Sequence, residues 1–305
     1  PYVTFKDEFI EGEWWLIKKA HENNRLYEGE KVMHWCSQCA TAMAKHELEY
    51  KNVTDNSIFL KFKVKGTDNE YLIIWTTTPW TIPYNLGVMV NPGEEYVKAK
   101  VGDEIWIVAA KLAGVFIQGV AEKQYKILKT IKGEELEGLE YIHPLHDELK
   151  DIYDKLKQES PNTHTVLLSQ EYVDTSSGSG LVHCAPGCGP EDYEIGHKYH
   201  ILPFNNLKED GSFPEEMGIF KGFTAKKDDK KFIEYLERKI ESFYVEEGSG
   251  NISLAVGFTS GILEKTISSV YPYFPPFCHW PRITGWADTW SLGSKFDLSN
   301  RGNYF

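Results

Sequence analysis

The chain has 305 residues, and its 33 lysines and arginines against 45 aspartates and glutamates give it a formal net charge of −12. This length suits about two domains of ordinary size. With 41% hydrophobic and 26% charged residues, the composition excludes both a disordered chain and one embedded in a membrane. The acidic balance argues against a protein that coats nucleic acid, although a local nucleic-acid contact stays open.

The two ends and the cysteines indicate the setting of the chain. The sequence begins with proline, so we expect it to be a piece of a longer protein. Its first residues, PYVTFKDEF, lack the basic start and apolar stretch of a signal peptide, and no run reaches the ~18 apolar residues that span a bilayer. The cysteines at irregular spacing favour a reduced, cytoplasmic setting over a disulfide framework. They are Cys36, Cys39, Cys184, Cys188 and Cys278.

The predicted elements begin with an amphipathic helix from Asp7 to about Asn23, with acids early and lysines late. A second helix is predicted around Thr41 to Glu47. From Val53 the sequence changes to short β-rich runs, which are SIFLKFKV, YLIIWTTT, GVMV, YVKAKV, EIWIVAA and YKILKTI. Short strands at this spacing are typical of a barrel or a sandwich.

The second half of the chain adds the β-rich runs HTVLLSQEYV and SGLVHCAP. A helix follows from about Pro190 to Tyr199, and another runs from Asp228 to about Phe243. After about Gly248 the sequence is loop-like and then rich in proline, so no regular structure is predicted there. The sequence therefore indicates a mainly β fold with peripheral helices (α+β), built on a β-barrel-like domain.

A run of threonines at a strand end is the first candidate for chemistry. In WTTTPWTIPYNLG the hydroxyls of Thr76, Thr77 and Thr78 come just before Pro79, which stops the strand ladder. Such threonines can present hydroxyls and free backbone amides to a ligand, and Asn85 offers a donor and an acceptor nearby. Because threonine is also a common strand residue, the pattern taken alone favours an ordinary strand end.

The segment GSGLVHCAPGCGPEDYEIGH is the second candidate. His183 closes a short apolar strand, a glycine-rich turn permits close approach of the backbone to a ligand, and Glu191 and Asp192 fall in the first turn of the next helix. The helix dipole favours a charged carboxylate there, which could hold a substrate ammonium group. The alternative is that the acids only serve the helix start and that His183 is a core histidine.

The pair Cys36 and Cys39, in HWCSQC, has the spacing of half a structural zinc site. A structural zinc ion needs four ligands, and the clustered candidates elsewhere are Cys278 and His279. The residues leave open either a bound zinc ion or a pair of reduced thiols.

Together, WTTTPWTIPYNLGVMVNP and GSGLVHCAPGCGPEDYEIGHKY closely resemble the editing insertion of the isoleucyl-tRNA synthetases, a family of class I aminoacyl-tRNA synthetases. The resemblance covers about residues 1 to 245. It implies a connecting segment at 1–50, an editing domain at 51–247 and a returning connecting segment at 248–305. The class I signatures HIGH and KMSKS are missing from the sequence, so we expect no amino-acid activation by this chain alone.

The resemblance also implies roles for individual residues. Thr76, Thr77 and Thr78 would bind the aminoacyl ester and position a water, Asp192 would hold the α-ammonium group, and His183 would admit valine but refuse isoleucine. The other implied substrate-binding residues are Asn85, Trp80 and Gly187. The expected reaction is metal-free hydrolysis of Val-tRNA(Ile), with valyl-adenylate as a further candidate substrate. The implied partners are the tRNA(Ile) acceptor end and a Rossmann-type catalytic domain, with no membrane.

Some features depart from the family pattern. Cys188 stands where the family has histidine, in GCG against GHG, and the tail YPYFPPFCHWP is only loosely similar to the expected second zinc-ligand cluster.

Lys61, Lys63 and Lys65 alternate along one strand as candidates for tRNA contact, the alternative being a solvated strand face. The rival function is a binding fragment that holds the tRNA acceptor end or a zinc ion without catalysis.

Overall fold

The structure, a computed structural model, describes residues 3–44, 47–53, 56–239, 244–247 and 252–256. The predictions for the tail, including Cys278 and His279, lie outside these residues. The described residues fall into two compact units, which divide between residues 31 and 32. Within the described ranges, no helix is long and apolar enough to cross a membrane.

The first unit contains helix α1 (Asp7–Glu22), where the sequence predicts a helix. Its first turn is acidic and its last turn is basic, which suits the helix dipole. None of its side chains is buried, and Trp14 and Trp15 are both more than half exposed.

The second unit is mainly β with peripheral helices, which confirms the predicted fold class. Its strands are β1 (His34–Cys36), β2 (Thr41–Met43), β3 (Glu49–Val53), β4 (Asn56–Val64), β5 (Glu70–Thr76), β6 (Gly87–Val90), β7 (Glu95–Val101), β8 (Glu104–Ala109), β9 (Lys126–Lys132), β10 (Tyr141–Ile142), β11 (Thr165–Leu168), β12 (Val182–Cys184), β13 (Tyr244–Glu247) and β14 (Ile252–Val256). Its α-helices are α2 (Lys150–Glu159), α3 (Pro190–Lys198) and α4 (Asp229–Lys239). Shorter helical turns cover Pro79–Tyr84, Gly114–Val120, Gly133–Leu136 and Glu215–Phe220.

Parts of the element prediction were wrong. The helix expected from Thr41 is instead β2, because its cross-strand pairing with β1 outweighs the local helix propensity of its alanines and methionine. Helix α2 was missed, since its largely polar sequence buries only Tyr153 and Leu156. Strand β14 lies where no regular structure was expected, and it pairs with β3.

Strand β5 is the centre of a ten-stranded sheet that curls into a half-barrel. One edge of β5 pairs with β4 from Tyr71 to Thr76. The other edge is shared, because β8 pairs with β5 over Glu70–Leu72 and β12 pairs with it at Trp75. The sheet therefore divides at β5, and we call the place where β8 and β12 separate the fork.

Both faces of the sheet are buried at its centre. Along β4, Leu60 and Phe62 enter one core cluster, whereas Phe59 enters a second cluster on the opposite face. The ring of Phe59 stacks on Phe116 of the turn Gly114–Val120, with ring centroids 4.4 Å apart. Burial on both faces accounts for the near-continuous apolar runs in the central strands.

A loop at residues 178–181, which we call the glycine loop, bridges β8 and β5 at the fork. The backbone N–H of Ala109 donates to the carbonyl of Ser179 (2.9 Å), and that of Trp75 donates to the carbonyl of Leu181 (3.3 Å). Gly180 has a φ of +76°, and a Cβ added there would lie 2.3 Å from the Cβ of Ala109. A side chain at this position would therefore push the loop away from the sheet.

We expect Gly180→Ala to lower the free energy of unfolding by about 1–3 kcal/mol, through backbone strain and overpacking. The matched control is Gly119→Ala, since a Cβ at Gly119 would meet no atom within 4 Å. Urea denaturation of both variants measures the difference. Equal stabilities would show that the loop tolerates a side chain at the fork.

Candidate functional site

A cavity of about 250 Å³ opens at the fork, beside the C-terminal end of β5. Its walls come from the ends of β5 and β12, the glycine loop between them and the first turn of α3. The cavity brings together five of the residues that the sequence singles out, although they lie in segments more than a hundred positions apart. These are Thr76, Thr77, Thr78, His183 and Asp192.

The three threonines are placed differently. Thr76 and Thr78 are buried, and the backbone N–H of Thr78 donates to the Thr76 hydroxyl oxygen (3.1 Å), which fixes the strand end. Thr77 is half-buried, and its hydroxyl makes no hydrogen bond to another residue that the structure describes. Thr77 therefore offers the cavity a hydroxyl that a ligand or a water can bind.

A hydrogen-bond chain orients His183 in the cavity wall. The hydroxyl of Thr81 donates to the carbonyl of Thr78 (2.8 Å), and it lies 3.1 Å from Nε2 of His183. With the hydroxyl proton of Thr81 directed at the Thr78 carbonyl, Nε2 of His183 is the donor to the Thr81 oxygen. This bonding assigns the Nε2–H tautomer to His183, and it fixes the ring by a residue that the sequence analysis missed.

Asp192 lies in the first turn of α3 and is buried at the cavity wall. Its Oδ2 accepts the backbone N–H of Ala185 (3.2 Å). Gly189 lies against the same carboxylate, because a Cβ there would be 2.9 Å from Oδ2. Asp192 thus closes the glycine-rich turn and also lines the cavity, and its binding of an ammonium group stays a prediction.

Cys188 also lines the cavity and is fully buried. Burial, and then the nearby Asp192 carboxylate, raise the pKa of the Cys188 thiol well above its ordinary value. The thiol therefore stays protonated near neutral pH. A protonated thiol is a poor nucleophile, so Cys188 serves as a buried packing residue in the turn.

The remaining predicted binding residues do not line the cavity. Asn85 is buried, and its Oδ1 accepts the hydroxyl of Tyr141 (2.5 Å). Trp80, within the turn Pro79–Tyr84, is fully buried. Gly187 backs onto the main chain, since a Cβ there would lie 2.3 Å from the carbonyl oxygen of Phe204. The structure gives each a packing role, and their part in substrate binding stays a prediction.

The rim of the cavity contains residues that the sequence analysis did not single out. Tyr172, Asp174, Ser177 and Ser179 line it from the segment before β12. The signal in the sequence was the run of serines and glycines in SQEYVDTSSGSGL, which reads as a loop and carries many hydrogen-bonding groups.

The lysines along β4 are mostly neutralised. Lys61 is buried, with its Nζ 2.7 Å from the Glu104 carboxylate, and Lys65 pairs with Glu140. Lys63 is half-buried. This strand therefore presents less positive charge to a polyanion than its sequence alone indicates.

The cysteine pair lies in the hairpin of β1 and β2. The backbone N–H of Cys39 donates to the sulfur of Cys36 (3.2 Å), with Cys36 buried and Cys39 exposed. This turn supplies two of the four ligands that a structural zinc ion needs. Among the described residues no group of three or more potential ligands could hold a metal ion. The zinc site therefore stays a prediction.

Four buried side chains lie beneath the turn Pro79–Tyr84 and Asn85. We call this group the carbonyl belt, and it consists of Tyr141, His143, Tyr153 and His164. Nδ1 of His143 accepts the backbone N–H of Leu145 (3.0 Å), so the proton of this ring is on Nε2. Burial, and then the neighbouring His164, lower the pKa of His143 well below its ordinary value. Burial likewise lowers the pKa of His164 to about 4.

These buried histidines make stability depend on pH. Between about pH 6.5 and pH 4 the unfolded chain binds protons that the folded chain refuses, so the free energy of unfolding must fall as the pH falls. We expect His164 to contribute on the order of 3 kcal/mol to this fall. In His164→Gln, urea denaturation should therefore show a shallower pH slope in this window.

The control is His197→Gln, because His197 is exposed on α3. The pH slope should fall by more in His164→Gln than in this control. If His164→Gln retained the full slope, the buried ring would not be the group that titrates.

The sequence belongs to a known family of enzymes. The chain is a member of the class I tRNA synthetases, since a family model described as tRNA synthetases class I (I, L, M and V) matches residues 1–256.

Within that family, the chain is similar to isoleucine–tRNA ligases, which confirms the resemblance seen in the sequence. The protein of Sulfolobus acidocaldarius is 43% identical over 240 residues, and that of Pyrococcus abyssi is 43% identical over 245 residues. Each match covers 78% of this chain and 22% of the relative, so the chain spans about a fifth of the relatives' length.

Solved structures that resemble the chain are described as parts of leucyl-tRNA synthetases. GlLeuRS-CP1 has a TM-score of 0.46 at 16% identity and covers 63% of this chain and 100% of its own. The editing domain of the P. knowlesi cytosolic leucyl-tRNA synthetase has a TM-score of 0.44 at 15% identity and covers 64% of this chain and 98% of its own.

Proposed function

We propose that this chain is the editing portion of an isoleucine–tRNA ligase and that it hydrolyses the aminoacyl ester of Val-tRNA(Ile) while it excludes isoleucine. The observation that carries the proposal is the cavity at the fork, which joins Thr76, Thr77 and Thr78 to His183 and Asp192. A hydroxyl cluster, a buried carboxylate and a fixed ring in one small cavity are the groups that such a reaction requires. The similarity to isoleucine–tRNA ligases supports the choice of amino acid.

The size of the cavity suits a single amino acid. Its volume of about 250 Å³ lies below the roughly 300–1,000 Å³ of pockets for drug-sized ligands. A hydrolytic site separate from the synthetic site is needed, because one methylene changes the free energy of discrimination in a hydrophobic pocket by only about 1–3 kcal/mol. The discrimination of isoleucine from valine by this enzyme family is the standard example. His183, which Thr81 holds in place, forms a wall that excludes the larger isoleucine side chain by steric repulsion.

The reaction is a transfer of the acyl group from a ribose oxygen to water. Asp192 pairs with the α-ammonium group, and the Thr77 hydroxyl and backbone amides at the end of β5 hold the ester and stabilise the developing oxyanion. Water adds to the carbonyl carbon, the bond to the ribose oxygen breaks, and the tRNA leaves with a proton on that oxygen. Positioning of the water, helped by the neighbouring ribose hydroxyl, supplies the activation.

The partners follow from the same proposal. The acceptor end of tRNA(Ile) delivers the mischarged ester. The rest of the synthetase carries the catalytic domain and makes most of the contacts with the tRNA. The reaction takes place in the cytoplasm. Valyl-adenylate, which has the same ammonium group and a reactive acyl bond, is a further substrate of the same cavity.

Replacement of the buried carboxylate tests the binding of the ammonium group. We expect Asp192→Asn to slow hydrolysis of Val-tRNA(Ile) by about 100-fold, since the amide loses the charge but keeps an oxygen for the Ala185 N–H. A deacylation assay measures the rate, and circular dichroism checks the fold.

The matched control is Glu191→Gln, which removes one negative charge from the same helical turn outside the cavity lining. It should retain the rate of the unchanged chain. Equal slowing of both variants would mean that overall charge, rather than a specific ammonium contact, controls the reaction.

Removal of the fixed ring tests the size filter. We expect His183→Ala to hydrolyse Ile-tRNA(Ile), because the space vacated by the imidazole accommodates the extra methylene. The measurement is the ratio of hydrolysis rates for Ile-tRNA(Ile) and Val-tRNA(Ile), with His197→Ala, on the exposed face of α3, as the control. Continued refusal of isoleucine by a folded variant would contradict the steric role.

The same assay separates the rival function. A folded chain that binds tRNA(Ile) but releases no valine from Val-tRNA(Ile) would be a binding fragment that holds the acceptor end without catalysis. Release of valine that Asp192→Asn abolishes would exclude this rival.

A further inference from the structure

The turn Pro79–Tyr84 presents more buried carbonyl groups than its own backbone can satisfy. Every residue of this turn is buried. Two of its residues, Pro79 and Pro83, have no N–H to donate, and the last carbonyls of any helical turn lack partners within the turn. A buried carbonyl without a donor costs about 1–3 kcal/mol, so donors must come from elsewhere in the fold.

The carbonyl belt supplies these donors. The hydroxyl of Tyr153 donates to the carbonyl of Pro83 (2.9 Å). The carbonyl of Ile82 accepts the backbone N–H of Asn85 (3.0 Å), and Nε2 of His143 is its second donor (3.1 Å). Two further contacts hold the residue that follows the turn. Nε2 of His164 donates to the Asn85 carbonyl (3.2 Å), and the Tyr141 hydroxyl donates to its side-chain oxygen.

The members of the belt also pack on one another. The ring of Tyr153 lies 4.7 Å from that of His143 and 4.9 Å, edge on, from that of His164. Because both imidazole rings are neutral, each has a single N–H donor. In each ring this donor is the Nε2–H that faces a carbonyl. None of the belt residues lines the cavity, yet together they bind three carbonyl groups within four residues of main chain.

This fixed stretch of main chain sets the position of Thr81. Thr81 directly precedes the first bound carbonyl, at Ile82, and its N–H and hydroxyl both bond to the carbonyl of Thr78. Its hydroxyl then orients His183 in the cavity wall. The belt therefore acts on His183 only indirectly, through the turn Pro79–Tyr84 and the hydroxyl of Thr81.

We propose that the carbonyl belt is a set of positioning residues that determines the amino-acid selectivity of the cavity without touching the ligand. The inference rests on the proposed function. It differs from a purely structural role in one respect. Loss of a belt donor must change which amino acid is hydrolysed, and not only how much of the protein is folded.

The decisive variant is Tyr153→Phe, which removes one hydroxyl and leaves the ring in place. We expect the preference for Val-tRNA(Ile) over Ile-tRNA(Ile) to fall by about tenfold, because the turn relaxes around an unsatisfied Pro83 carbonyl and His183 loses its fixed position. The ratio is measured at a temperature where unfolding curves show both proteins to be folded.

The matched control is Tyr199→Phe. The Tyr199 hydroxyl bonds to Glu137 and to the N–H of Leu168, away from the turn and the cavity. This variant should lose stability but keep the ratio of the unchanged chain. An unchanged ratio in Tyr153→Phe, or an equal fall in both variants, would overturn the proposal.

A second pair of variants covers the case in which Tyr153→Phe does not fold. His143→Gln keeps an N–H donor for the Ile82 carbonyl and should retain selectivity, whereas His143→Leu removes the donor and should lose it. Equal selectivity in this pair would also overturn the proposal.

A measurement without substrate separates this inference from the proposed function. In ¹⁵N spectra of the imidazole groups, His183 should show the Nε2–H tautomer in the unchanged chain and a mixture of tautomers in Tyr153→Phe. If the chain hydrolyses no ester but the tautomer responds in this way, the proposed function fails while the link from belt to His183 stands. If valine is released but the tautomer does not respond, the belt proposal fails alone.

Discussion

The pairing of β5 is the constraint on which the rest of the structure depends. One edge of this strand is occupied by β4 along its length, while the other edge is divided between β8 and β12. Because two strands cannot continue side by side along the same edge, they must separate, and the space between them becomes a cavity. The threonines lie at this place because β5 ends there. The glycine loop is needed to close the gap at short distance, and the first turn of α3 then forms the remaining wall.

Electrostatics in the cavity depend on burial as much as on charge. Asp192 keeps its place through the Ala185 N–H and the helix start, whereas the adjacent Cys188 thiol is kept neutral by the same burial and by that carboxylate. The belt histidines are neutral for the same reason. The net charge of −12 therefore says little about this site, where the buried Asp192 carboxylate lies beside a thiol that burial keeps uncharged.

The sequence predicts features that depend on local patterns and fails where distant contacts decide. Alternation along SIFLKFKV and the Pro-Glu-Asp start of α3 gave strand β4 and a helix at the right places, since both signals are local. The strand Thr41–Met43 was misread because only its partner β1 makes it a strand. At the site, hydroxyls and an acid were found by residue type and spacing. Spacing does not reveal side-chain direction, so Asn85 turned out to face the core, and Thr81 was recognised only from its contact with His183.

The separation of the cavity walls along the chain has a consequence for synthesis on the ribosome. Thr76 and Asp192 are more than a hundred residues apart, and contacts of such long range form late because a long loop must first be closed. A nascent chain that has made β4 and β5 therefore holds the threonines without the carboxylate or the fixed imidazole. Under the proposed function, an unfinished chain has no assembled hydrolytic pocket, so incomplete synthetase molecules do not destroy correctly charged tRNA.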